Sequence, residues 1–184
     1  MPTDSVRRFL QTRVGLLGGV VVSGGEPTLQ PGLKEFLRFV KGLGYAVKLD
    51  TNGSNPTVVA ELLDDGLVDY VALDVKAPWD RYQEIGGGKA DPVPVEATLH
   101  LLASASVAWE VRTTLCPTLY EDDVHQIAAA MPQVPLWRLN RYVIPESYKE
   151  TDTLRVKESA LGGDRLRQLV VVLRDVQENV LDSV

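Results

Sequence analysis

Segments patterned as strands alternate with segments patterned as helices along this chain, and that alternation leaves few folds open to it. Val20-Val21-Val22-Ser23 is a β-branched run that closes on glycines. Between Pro31 and Leu43, Leu33, Phe36, Leu37 and Val40 fall at helical spacing, with Pro31 suited to the first turn and Gly44 to the end. Ala46 to Thr51 is the next strand, closed by Asn52-Gly53. Pro56 to Asp65 reads as a helix with Asn55 as its cap and Gly66 as its stop. Tyr70 to Asp74, Ala108 to Thr114 and Leu136 to Ile144 complete five strands, and helices open at Asp91-Pro92 and at Glu121 between them. Trp79 to Lys89 reads as a long loop. Thr3 to Val14, ahead of the first strand, is a helix with Val6, Phe9 and Leu10 on one side. Asp164 to about Asp182 is predicted as one long amphipathic helix carrying Leu166, Leu169, Val170, Leu173 and Val176 on one face. The segment from Glu146 to Gly163 is polar and irregular. Such an order predicts an α/β fold, a parallel sheet with helices outside it. No repeat or linker divides the chain, so residues 1–184 read as a single domain.

Charge and cysteine content narrow the chemistry. The net charge is −6, which argues against a nucleic-acid groove. The apolar run from Leu16 to Val22 is too short to cross a bilayer and holds Gly18 and Gly19. With no signal-peptide pattern at the start, the expected compartment is the cytoplasm. Cys116 is the one cysteine; it forms no internal disulfide and alone holds no metal cluster. His100 and His125 fall on predicted helices without metal-ligand spacing.

In parallel α/β sheets and barrels, ligands bind at the carboxyl ends of the strands. Here every strand ends in polar or glycine residues: Ser23-Gly24-Gly25-Glu26-Pro27, Thr51-Asn52-Gly53, Asp74-Val75-Lys76, Thr113-Thr114 and Asn140-Arg141. Alternation along a strand places Lys48, Asp50 and Asn52 on one face. The same rule groups Asp74 with Lys76, Glu110 with Arg112 and Thr114, and Arg138 with Asn140. Buried parallel strands are ordinarily near-continuous apolar runs. Charges of both signs recurring on one face predict a polar cavity, which a zwitterionic ligand would complete. Ion pairs within the sheet, or a face open to water, would also accommodate them.

At Val20-Val21-Val22-Ser23-Gly24-Gly25-Glu26-Pro27-Thr28-Leu29 the sequence resembles the second-strand motif of radical S-adenosylmethionine (SAM) enzymes. Paired glycines let a ligand approach the backbone closely. Leu49-Asp50-Thr51-Asn52-Gly53 is similar to the family's third strand, and Leu73-Asp74-Val75-Lys76-Ala77-Pro78 to the fourth strand of its glycyl-radical activating branch. Glu110-Val111-Arg112-Thr113-Thr114 and Trp137-Arg138-Leu139-Asn140-Arg141-Tyr142 resemble the fifth and sixth. The likeness covers roughly the first 145 residues and is nearest to the activating protein of anaerobic ribonucleoside-triphosphate reductase, with pyruvate formate-lyase activating enzyme a cousin. It implies a partial (β/α) barrel that binds SAM through Gly24, Gly25, Glu26, Asn52, Asp74, Lys76 and Arg112. It also implies a 4Fe-4S cluster, reductive cleavage of SAM, and a glycyl-radical enzyme as partner.

The family's three-cysteine motif, and the strand that carries it, are not in this sequence. The chain is therefore expected to be a truncated member, inactive alone, with no catalytic residue of its own assigned. Without a strand beside it, the Val20–Ser23 run is expected to present an open edge, and the chain to self-associate through it or rearrange to cover it. Two other readings stay open: a cluster-free scaffold that binds a ligand or a partner, and a barrel enzyme that forms a Schiff base at Lys76.

Overall fold

The computed structural model describes residues 3–144, 146–147 and 163–183. Six strands lie in one sheet in the order of the chain, and every neighbouring pair is parallel. They are β1 (Gly19–Val22), β2 (Ala46–Thr51), β3 (Tyr70–Asp74), β4 (Ala108–Leu115), β5 (Trp137–Arg141) and β6 (Val180–Ser183). The helices are α1 (Thr3–Gln11), α2 (Leu33–Gly42), α3 (Pro56–Asp64), α4 (Tyr82–Gly86), α5 (Pro92–Ser104), α6 (Glu121–Ala130) and α7 (Gly163–Leu173). Sequential parallel order needs a crossover at each step, and crossovers of one hand stack the helices on one face. This is the wall of a (β/α) barrel, open rather than closed.

Burial separates the two faces of the sheet. Val47 and Leu49 of β2, Val71 and Leu73 of β3, Val111 of β4, and Trp137 and Leu139 of β5 are buried with Leu37, Leu62, Leu99, Leu102, Ile127, Leu166 and Leu169 of the helices. Each such side chain contributes about 1.5–3 kcal/mol. Trp137 Nε1 donates to Thr113 Oγ1 at 3.0 Å, and that hydroxyl donates to the Val75 carbonyl at 2.7 Å, so the one polar group of the indole is satisfied. The opposite face carries the predicted charges.

Three sequence expectations need correction. The long helix over 164–182 ends at Leu173. Gln177 is buried in the turn that follows, where its amide donates to the carbonyls of Ala128, Met131 and Pro132 and accepts from Val134 N. That plug anchors the turn, and 180–183 continue as a sixth strand beside β5. The loop from Trp79 to Lys89 contains α4, whose Tyr82 is buried. Phe9 is exposed, not packed with Leu10, and the Arg13 guanidinium lies 5.1 Å from its ring centroid. Of the irregular 146–163 segment, residues 148–162 lie outside the described residues.

Among the described residues β1 pairs on one side only, with β2. Val21 is 59% exposed, and Leu16 and Leu17 before the strand are exposed too. We expect association of copies through this edge, seen as a concentration-dependent shift in sedimentation velocity. A monomer at high concentration, with freely exchanging β1 amides, would contradict it.

Candidate functional site

The polar face is organised as two groups of ion pairs. In the first, Arg112 of β4 bridges two strands: Nε donates to Asp74 Oδ1 at 2.9 Å and Nη1 to Asp50 Oδ2 at 3.0 Å. Register explains the reach, because Asp74 is paired with Arg112, and Asp50 lies across the small Ala72. Asp50 Oδ1 is buried and takes no hydrogen bond among the described residues; Lys48 Nζ stands 4.0 Å from it. In the second group, Glu110 is only 2% exposed. It accepts from Lys48 Nζ at 2.8 Å and from Arg138 Nε at 2.6 Å. So the pairing that alternation left open is realised, and most of these charges satisfy one another.

Their titration follows the same geometry. Burial raises the Asp74 carboxyl above its ordinary value, Arg112 only partly opposing it and Asp50 adding to it. Burial also works to raise Glu110, but the bonds from Lys48 and Arg138 outweigh it and the net shift is downward. A lowered folded value means that the Glu110 contribution is complete above the unfolded value of about 4.3 and is lost as pH falls through the lower folded one. Glu110→Gln is therefore expected to flatten the acid limb of the stability curve below about pH 4. An unchanged slope there would show that the carboxylate is not held by these cations.

Lys76 continues beyond β3. Its side chain is exposed and takes no hydrogen bond or ion pair among the described residues, although its charge acts on Asp74. A recess of 230 Å³ opens there, lined by Asp74, Val75, Lys76, Ile85, Gly86, Arg112, Thr114 and Cys116. Tyr82 braces the backbone there: its hydroxyl lies 3.4 Å from Lys76 N and 3.5 Å from the Asp74 carbonyl. Burial pushes that phenol up to about 12.

The β1 end is built differently. Glu26, 7% exposed, turns its carboxylate inward. Oε1 accepts from Thr28 N at 3.1 Å, Thr28 Oγ1 at 2.6 Å and Thr51 Oγ1 at 2.8 Å. Oε2 accepts from Asn52 N at 2.7 Å, tying the loop after β1 to the end of β2. Asn52 Oδ1 in turn accepts from Ser54 N at 2.9 Å. Gly24 and Gly25 have φ of 99° and 59°, a conformation that other residues rarely hold.

Of the predicted site residues, then, Asp74, Lys76 and Arg112 line one recess. Glu26 and Asn52 are bonded to each other, and Gly24 borders a different cleft with Val6, Val22, Pro31 and Phe36. Tyr82 is not among the predicted site residues and sits in the stretch predicted as loop; its apolar spacing from Trp79 is the signal the sequence offers. Asp50 was placed on the polar face but not in the site.

Comparison with known proteins bears on fold and descent. The profile of the radical SAM superfamily matches residues 1–131. A protein of Methanocaldococcus jannaschii that carries the name of a glycyl-radical enzyme activating enzyme is 36% identical over 137 residues, which make up 71% of this chain and 57% of that protein. The chain thus spans little more than half of that relative's length. Among solved structures, a domain of pyruvate-formate lyase-activating enzyme from Bacteroides vulgatus superposes with a TM-score of 0.69 at 18% identity, covering 91% of this chain and 100% of that one. Streptococcus suis SuiB bound to S-adenosylmethionine gives 0.75 at 14% identity, over 100% of this chain and 44% of that one. Those two likenesses speak for the fold, and the profile match for descent: the chain belongs to the radical SAM superfamily.

Proposed function

We propose that the recess formed by Asp74, Lys76 and Arg112 holds the amino-acid end of SAM, in a chain of the activating-enzyme type whose partner is a glycyl-radical enzyme such as anaerobic ribonucleotide reductase. The observation that carries this reading is Lys76, an exposed cation at a strand end without a hydrogen-bond or ion-pair partner among the described residues, beside an Arg112–Asp74 pair. The residues fit the ligand. Lys76 suits the methionine carboxylate and Asp74 the methionine ammonium. The backbone of Gly24-Gly25, with Glu26 fixing that loop against Asn52, supplies further polar groups at the same edge of the sheet. A cation near Asp74 also opposes the burial that raises its carboxyl. SAM, when bound beside a reduced cluster, supplies the radical chemistry of the family.

The cluster itself does not fit this chain. Cys116 is the one cysteine in the sequence, and no group of three His, Cys, Asp or Glu side chains among the described residues could hold a metal. No step through a cluster is assigned to these residues, and the chain alone is expected not to cleave SAM.

Isothermal titration of SAM into the anaerobically handled protein, with iron analysis of the same sample, tests the reading. Saturable binding without iron supports it; no binding overturns it. The Schiff-base alternative rests on the same lysine, but Lys76 stands in solvent beside a carboxylate, not in the apolar pocket that activates such a lysine. Borohydride added with an α-keto acid is expected to trap nothing. A reduced adduct on Lys76 would replace the SAM reading.

A further inference from the structure

A second cavity lies on the same face of the sheet, deeper along the strands. It measures 500 Å³ and is lined by Lys48, Tyr70, Glu110, Arg112, Arg138 and Asn140. Arg112 is the wall that it shares with the recess at Lys76. We propose that this cavity is a binding subsite for an oxyanion, the carboxylate or phosphoryl group of a substrate. It goes beyond the SAM reading and stands whether or not the recess takes SAM.

The argument is one of unfilled hydrogen-bonding capacity. Both oxygens of Glu110 are occupied, one by Lys48 and one by Arg138. All three nitrogens of Arg112 are committed to Asp50 and Asp74. What remains open toward the cavity are donors. Arg138 uses Nε alone, so its two terminal nitrogens have no partner among the described residues. Those two nitrogens form the fork that binds an oxyanion at two points. Lys48 makes one hydrogen bond and lies 5.0 Å from the Tyr70 ring centroid. The Asn140 amide borders the same space. Lys48 also stands 4.0 Å from Asp50 Oδ1, so the charges of this face balance and the free Arg138 nitrogens are the donors that carry the subsite.

Glu110 gives the arrangement its purpose. Placing a carboxylate at 2% exposure on a sheet face is costly, and apolar residues of similar size would hold the strands as well. A buried anion that grips Lys48 by its tip and Arg138 by its inner nitrogen instead fixes two long side chains in the lining of one cavity. The sheet register reinforces this, since Arg138 is paired with Arg112 and Asn140 with Thr114, one row apart on the same face.

The test follows the arginine Nε–H resonances by NMR while inorganic phosphate, and separately acetate, is titrated at constant chloride. The Arg138 signal is expected to shift saturably with either oxyanion. Tighter binding of phosphate assigns a phosphoryl group, and tighter binding of acetate a carboxylate. Asn140→Asp, which adds a negative charge at the rim without disturbing the Glu110 pairs, is expected to weaken binding about tenfold. Arg138→Gln is expected to abolish it. No saturable shift, a shift reproduced by chloride alone, or one untouched by Asn140→Asp overturns the proposal. SAM titration of the same sample separates the two readings. SAM binding without oxyanion binding sinks only this subsite, and oxyanion binding without SAM binding sinks only the recess.

Discussion

Glu26→Ala is expected to lower the stability of the fold by about 3 kcal/mol, a loss of roughly 6–12 °C in melting temperature for a chain of this size. The carboxylate is buried and accepts from four donors: Thr28 N, Thr28 Oγ1, Thr51 Oγ1 and Asn52 N. Alanine leaves two backbone N–H groups without an acceptor in a segment that has no regular ladder of its own. It also unfastens the loop after β1 from the end of β2, so the fixed positions of Gly24 and Gly25 are lost with it. Glu26→Gln keeps one acceptor oxygen and is expected to lose less than half as much. Urea denaturation measures both, and an unchanged midpoint for the alanine variant would show that water replaces the carboxylate at no cost.

Lys76→Ala is expected to weaken SAM binding about 10- to 100-fold while leaving the denaturation midpoint unchanged. The two effects separate because Lys76 takes no hydrogen bond or ion pair among the described residues, so its removal breaks no such bond there. Arg112 does not offer that separation, since it already bridges Asp50 and Asp74. Lys76→Arg keeps the charge but enlarges the head group in a 230 Å³ recess, and partial recovery is expected. Equal affinity of the wild type and the alanine variant would remove Lys76 from the site.

The strands were the most legible part of the sequence. Ala46–Thr51 and Tyr70–Asp74 have the bounds that their composition suggested, because turn residues punctuate both ends. Alternation also placed Lys48, Asp50, Asp74, Glu110, Arg112 and Arg138 on one face, as the structure has them. What alternation could not supply was the choice of partners. Pairing depends on register, and register put Asp74 beside Arg112 and left Lys76 open.

The carboxyl end of the chain misled for a physical reason. Leu166, Leu169, Val170, Leu173 and Val176 keep helical spacing, and Val180 extends it, so periodicity gave no stop after Leu173. The stop comes from Gln177, whose amide is drawn into the end of α6 by four hydrogen bonds made to residues more than forty positions away. Such a contact has no local signature. Glu26 is the converse case: a motif residue named as a ligand contact turns out to have its oxygens directed into the protein, and its part in the proposed site is to hold the loop.

The crystal structure of the chain soaked with SAM would test the central claim most directly. The account places the methionine end of the ligand in the recess, with its carboxylate on Lys76 and its ammonium on Asp74. A methionine end found away from Lys76 and Asp74, or an empty recess at saturating SAM, would contradict it.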